Sequence, residues 1–122
     1  MGKVNHFTDL EVWRRSHQLF LAVLKGLDEL PRSRAAAALT DQMVRSLGSI
    51  GANIAEGFNR SKPKYLNSLD IALGEANESE NWLYKLRDAG YVPRPTAKRH
   101  IAECIEIEKM LGALIRSIRS KP

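Results

Sequence analysis

The chain has a single cysteine, Cys104, among its 122 residues, so no internal disulfide can form, and a lone thiol is compatible with a reducing compartment. It has no apolar run approaching the ~20 residues that a bilayer-spanning helix needs, and no cationic leader followed by a long apolar stretch opens it. These absences set the expectation of a cytoplasmic protein without a membrane partner. No stretch alternates apolar and polar residues over strand length, and no internal repeat is present, so strands are not expected. Aromatic residues make up only 7% of the chain. Several of them, including Trp13, Phe20 and Phe58, fall on apolar faces, which leaves little for base-specific recognition.

What is present is an ordinary globular balance, 43% hydrophobic and 27% charged. Without a compositional break, residues 1–122 read as one domain, large enough to bury a core without disulfides or a structural metal. Lys and Arg number 19 against 14 Asp and Glu, and the pI is about 9.6. Such a balance permits an acidic partner such as nucleic acid, although a net charge of this size also serves solubility.

The most informative stretch is Gln42 to Arg60, which reads as one helix with three faces. Leu39, Met43, Leu47, Ile50, Ile54 and Phe58 recur at steps of three and four and face a core. Arg45, Ser49, Asn53, Glu56 and Arg60 form a second line. Gly48, Gly51, Ala52 and Ala55 leave a third face nearly bare. Each glycine within a helix costs roughly 1 kcal/mol relative to alanine. A second helix backbone packed closely over the bare face, from this chain or a neighbouring subunit, is the expected compensation.

Before this stretch, Thr8 and Glu11 have the spacing of a capping box, with Phe7 and Val12 as its hydrophobic staple. Leu10, Trp13, Phe20, Val23, Leu24 and Leu27 then give a first apolar face until Leu30-Pro31 stops the run. After it, Ser61 is a candidate N-cap and Pro63 suits a first helical turn. Leu66, Leu69, Leu73, Ala76, Leu83 and Leu86 point inward on a helix closed by Gly90. A proline-bounded link follows, Thr96 caps the last helix, and Cys104, Ile107, Leu111, Leu114 and Ile118 form its seam. Helices are expected at about residues 9–29, 35–58, 62–89 and 97–119. Joined by short links, they predict an all-α, antiparallel up-down-up-down four-helix bundle.

That topology turns the sequence into a charge map. One end collects Lys3, Arg14, Arg15, Arg60, Lys62, Lys64, Arg116, Arg119 and Lys121. The other collects Lys25, Arg32, Arg34, Lys85, Arg87, Arg94, Lys98 and Arg99, while most carboxylates of the third and fourth helices lie at the waist. Arg116, Arg119 and Lys121 finish a helix, where cations complement the macrodipole. Lys62 and Lys64, and likewise Lys98 and Arg99, open helices, where the dipole favours anions. Free N–H groups beside cations make a helix start suited to phosphate. The candidate nucleic-acid contacts are Arg14, Arg15, Arg32, Arg34, Arg60, Lys62, Lys64, Arg94, Lys98, Arg99, Arg116 and Arg119.

Catalytic signals are weak. His100 and Cys104 lie four apart on a helix, which is half a metal site or a thiol-imidazole pair, but a complete zinc site needs more ligands. A core-facing cysteine beside a surface histidine is the simpler reading. Glu-x-x-His, the pattern of di-iron bundles, is absent. Gly48-Ser49-Ile50-Gly51 lacks both the nucleophile elbow and the P-loop ending. Glu56 and Arg60, four apart, read as an intrahelical ion pair. No cofactor, metal or small-molecule substrate is expected, and no enzymatic activity.

Phe7-x-Asp9-Leu10-x-Val12-Trp13, Ser49-Ile50 followed by Asn53-Ile54-Ala55-Glu56-Gly57 and Arg60, and Ile71-Ala72-Leu73-Gly74 with Glu78 resemble the four-helix proteins encoded by intervening sequences in bacterial 23S ribosomal RNA genes. The resemblance spans the first three helices in order and is less specific in the fourth. That family is similar in fold to the accessory variability protein of diversity-generating retroelements, a basic homopentamer that binds a reverse transcriptase and template RNA. The resemblance implies a homo-oligomer, most simply a pentamer, and a non-catalytic role with RNA or DNA, with a reverse transcriptase as a candidate partner. The competing expectation is a structural bundle that assembles only with itself and other proteins. Third comes a thiol or metal enzyme built on His100 and Cys104.

Overall fold

The computed structural model describes residues 3–122, nearly the whole of the expected domain. A 3-10 turn, Phe7–Asp9, precedes four α-helices: α1 (Glu11–Leu27), α2 (Arg34–Gly57), α3 (Lys62–Asp88) and α4 (Arg94–Arg119). Among the described residues there is no strand. Helix α2 packs on α1 and α3, and α4 closes the bundle against α3 and α1. Direction follows from cross-helix contacts. Ser46 meets Ser79 while Gly57 lies against Ser68, so α2 and α3 run antiparallel. Lys62, opening α3, reaches the carbonyls of Arg119 and Lys121 at the end of α4.

The helix boundaries are local chemistry. The chain enters through His6, whose ring accepts from the Thr8 N–H, while the Asp9 carboxylate accepts from the N–H groups of Asn5 and His6 at 3.0 Å each. These two N–H groups hold the Asp9 carboxyl below its usual range. The capping box is thus His6 with Asp9, not Thr8 with Glu11. Leu10 is extended, so α1 starts at Glu11 without a side-chain cap. Phe7 packs edge-on to Trp13 at 5.5 Å, rather than serving as a plain staple.

Helix α1 ends at Leu27, before Leu30-Pro31, because Glu29 and Leu30 donate to Gly26 and Leu27 in tight turns. Ser33, expected only as part of a link, caps α2 by accepting from the Ala36 N–H at 3.1 Å. Helix α3 opens as expected with Ser61 at its N-cap position and Pro63 in the first turn, although the Ser61 side chain makes no capping bond. Its end is a Schellman motif: Gly90 has φ +79°, its N–H donates to Arg87, and the Tyr91 N–H donates to Leu86. Helix α4 begins three residues before the expected start. Pro93 is its N-cap and accepts from the Ala97 N–H, Pro95 sits in the first turn, and Thr96 lies inside the helix rather than capping it.

The core is built by Met43, Leu47, Ile50 and Ile54 of α2, Leu69, Ala72, Ala76, Leu83 and Leu86 of α3, and Ile101, Cys104, Ile107 and Leu111 of α4. Leu39, Leu66, Leu73, Leu114 and Ile118 sit half-buried at its rim, whereas Phe58, expected on the same face, is half-buried edge-on to the Tyr65 ring. Helix α1 is rotated from its expected face. Val12, Ser16, Leu19 and Val23 are buried, Trp13, Phe20 and Leu27 flank them, and Leu24 is exposed. Between α2 and α3 the buried hydroxyls of Ser46 and Ser79 meet at 2.9 Å. Each also lies within hydrogen-bonding distance of a carbonyl of its own helix, so burial leaves no hydroxyl orphaned.

The bare face of α2 is not covered by a helix backbone. Side chains of α1 border it: a methyl group at Gly51 would lie 3.3 Å from Trp13 Nε1, and one at Gly48 3.4 Å from a Phe20 ring carbon, while Gly48 and Ala52 stay exposed. Because these rings do not fill the space, a groove of about 350 Å³ remains along Phe7, Trp13, Phe20, Gly48 and Ala52. Backbones truly approach at Gly57, where a methyl would sit 2.4 Å from Ser68 Cβ.

Candidate nucleic-acid interface

The antiparallel order gathers the candidate cations at two ends. At the first end, α1 and α3 begin and α2 and α4 finish. Arg15 of α1, expected at this end, lies toward the waist instead and is engaged by the protein itself, since it reaches Glu103 and Met110 mid-way along α4. Its Nε and Nη2 donate to the two carboxylate oxygens of Glu103 at 2.9 and 2.6 Å, a bidentate geometry. This hydrogen bond raises the Arg15 pKa further. Lys62 is also occupied. Its ammonium caps the carbonyls of Arg119 and Lys121, where the dipole of α4 favours a cation. Arg116 lies back over Gly112. Arg60 and Lys64 line an open recess of about 280 Å³ with Glu56 and Asn67. Arg60 does not pair with Glu56, because α2 ends at Gly57 and Asn59 turns through φ +62°, taking Arg60 out of helical register.

At the second end, Arg32 and Arg34 flank the Ser33 cap, and Arg94 takes the first position of α4. The earlier start of α4 places Lys98 and Arg99 in its second turn, so Arg94 is the cation that opens it. Arg94 and Lys98 are four apart and share a side. Arg99 lies 3.5 Å from the Thr96 hydroxyl. Ion pairs among the described residues are confined to Arg15–Glu103, Arg45–Glu78 at 3.7 Å and Arg87–Asp88 at 2.8 Å. The Arg87 hydrogen bond, with Arg94 and Lys85 at longer range, holds the Asp88 carboxyl below its usual range. Arg14, Arg32, Arg34, Arg60, Lys64, Arg94, Lys98, Arg99, Arg116 and Arg119 thus have no carboxylate within ion-pairing distance among the described residues.

The waist is acidic and partly protonated. Burial, reinforced by a hydrogen bond with Glu80, raises the Glu108 carboxyl from 4.5 to about 8. The Tyr84 hydroxyl donates to the other partner, Glu80, at 2.9 Å. Sequence reasoning missed this pair because its members lie on different helices, far apart in the chain. Burial pushes the Cys104 thiol up to about 12, so it carries no thiolate at neutral pH. His100 is half-buried rather than on the surface, and burial lowers its pKa. Among the described residues, no group of three or more His, Cys, Asp and Glu side chains is placed to share a metal ion. Nor is any described helix long and apolar enough to cross a membrane.

Fold and site together define a four-helix bundle with cationic ends and an acidic, partly buried waist. Residues 8–113 match the family model of the 23S rRNA-intervening sequence protein, and the chain belongs to that family. Among solved structures, it is similar to a protein of unknown function from the S23 ribosomal protein family of Bacteroides thetaiotaomicron. The two share 32% identity, with a TM-score of 0.78 over 85% of this chain and 97% of that one. None of the curated proteins compared with this chain matches it.

Proposed function

We propose that this protein is a non-catalytic, self-associating accessory protein whose bundle ends bind the phosphates of RNA or DNA. It would work with a reverse transcriptase and structured RNA, as the related accessory variability protein of diversity-generating retroelements does. The observation that carries this reading is the segregation of charge. Apart from Arg87, which pairs with Asp88, the end cations have no carboxylate within ion-pairing distance among the described residues, whereas the carboxylates Glu78, Glu80, Glu103 and Glu108 lie toward the waist. Phosphate binding needs cations that the protein has not already neutralised. Burial of the Cys104 thiol weighs against the thiol-enzyme alternative. The family match, residues 8–113, covers the first three helices and most of the fourth.

The apolar groove between α1 and α2, together with exposed Leu21 and Leu24, favours a second reading. In it, the bundle assembles only with proteins. Changing Arg32, Arg34, Arg94 and Lys98 together to Gln separates the two readings. Under the first, retention of a labelled structured RNA falls and its salt dependence flattens, while self-association, measured by light scattering on size-exclusion chromatography, persists. Unchanged RNA retention removes the second end from the interface. A strict monomer contradicts the pentamer.

A further inference from the structure

The end where α4 begins carries more than charge. Tyr84 and Arg87 of α3 and Arg94, Lys98, Ile101 and Ile105 of α4 line a groove of about 510 Å³. Its polarity is graded, because 94, 98, 101 and 105 descend one side of α4 at helical spacing. Cations therefore stand at the mouth, and isoleucines form the floor toward the waist. The Arg87 guanidinium lies 5.0 Å over the Tyr84 ring and pairs with Asp88, whereas Arg94 and Lys98 have no carboxylate within ion-pairing distance among the described residues. Beyond the floor, Glu80 holds the Tyr84 hydroxyl and adjoins Glu108.

We propose that this groove takes one unstacked nucleotide of a single-stranded segment, with its phosphate on Arg94 and Lys98 and its base on the Tyr84, Ile101 and Ile105 floor. The inference rests on the nucleic-acid reading above and narrows it to single strands at this end. Three observations select the ligand. The volume falls in the range of small-ligand sites and exceeds what a phosphate alone would fill. The gradient from cationic to apolar matches a nucleotide, whose charge is confined to one end and whose base is flat and neutral. A partner acidic along its length would meet Glu80 and Glu108 at the inner end. Duplex RNA keeps its bases stacked inside and offers the floor nothing, whereas splayed bases stack on aromatic and guanidinium planes with little sequence preference.

The test compares a fluorescein-labelled 12-nucleotide oligouridine with a blunt RNA duplex of equal length, by anisotropy across a salt series. Wild-type protein binds the single strand more tightly. Tyr84→Leu weakens that binding about tenfold with an unchanged salt slope, as expected for lost stacking. Arg94→Gln with Lys98→Gln lowers the slope by about 0.7, the counterion release of one single-strand phosphate. Tyr84→Trp keeps a ring in place and retains affinity, and its indole fluorescence is quenched by the single strand. Circular dichroism melting confirms that each variant is folded. Equal binding of single strand and duplex, an unaffected Tyr84→Leu, or equal competition by a polyglutamate peptide overturns the groove proposal. If structured RNA still binds in a salt-dependent way, the broader reading stands without it. If no nucleic acid binds, both fail.

Discussion

The two ends of the bundle are similar in charge and differ in what the charges do. Where α3 begins, Lys62 caps the end of α4 and Gly57 lets α2 touch α3, and nearer the waist Arg15 is held by Glu103. Part of that end's polar chemistry is spent on the fold. Where α4 begins, Arg32, Arg34, Arg94 and Lys98 have no carboxylate partner among the described residues, and the last two border a groove with an apolar floor. A count of lysines and arginines treats the ends as equal. Partners separate the individual cations: one already matched by a carboxylate, as Arg87 is where α4 begins, or by a helix carbonyl, as Lys62 is where α3 begins, has little left for phosphate.

Substitutions that affect stability at one end and leave it untouched at the other sharpen this contrast. Gly57→Ala has the largest expected effect. A methyl 2.4 Å from Ser68 Cβ forces α2 and α3 apart, and overpacking of this kind costs about 2–3 kcal/mol. Denaturant melting should show the loss. At the opposite end, a methyl at Gly26 meets nothing within 4 Å, so Gly26→Ala should leave the midpoint unchanged or raise it. Arg15→Gln comes next. With its side chain 32% exposed and that of Glu103 30% exposed, solvent screening limits the loss to about 1 kcal/mol. A similar loss from Arg94→Gln would break the distinction between the ends.

The waist supplies a pH signature independent of both ends. The folded chain keeps the Glu108 proton up to about 8, whereas the ordinary value is 4.5. The unfolded chain therefore releases this proton first as pH rises. Stability from the pair is fully present below 4.5 and is lost as pH rises through about 8. Glu108→Gln, which mimics the protonated form, should flatten the stability profile across that window. An unchanged slope in urea melts at several pH values would show that Glu80 and Glu108 are uncoupled. Lys62→Gln has the smallest effect, a few tenths of a kcal/mol from the lost dipole complement, visible as a slightly lower thermal midpoint.

The bundle was legible because α2 declares itself: Met43, Leu47, Ile50 and Ile54 are fully or almost fully buried, as their spacing requires. Helix α1 was harder, since a serine, Ser16, shares its buried stripe and a leucine, Leu24, faces solvent. Periodicity weighs side chains by type, and here two of them break that rule. The small-residue face of α2 is legible in the spacing, but spacing cannot reveal that rings border it and leave it partly open, with no backbone packed over it. Gly57 belongs to the family segment, but its packing role is not legible in the spacing, because the contact that requires it comes from Ser68, on the next helix. The charged ends could be read from helix order alone. Arg15 with Glu103 could not, because that pair depends on how α1 sits against α4.

The central claim is that cations at the bundle ends are free to meet phosphate. Its most direct test is binding of a labelled structured RNA to the wild-type protein over a range of salt concentrations. The account predicts that the logarithm of the association constant falls linearly with the logarithm of salt, with a slope of about −3 or steeper, as release of counterions from several phosphates requires. A flat titration, or no binding at low salt, would contradict it.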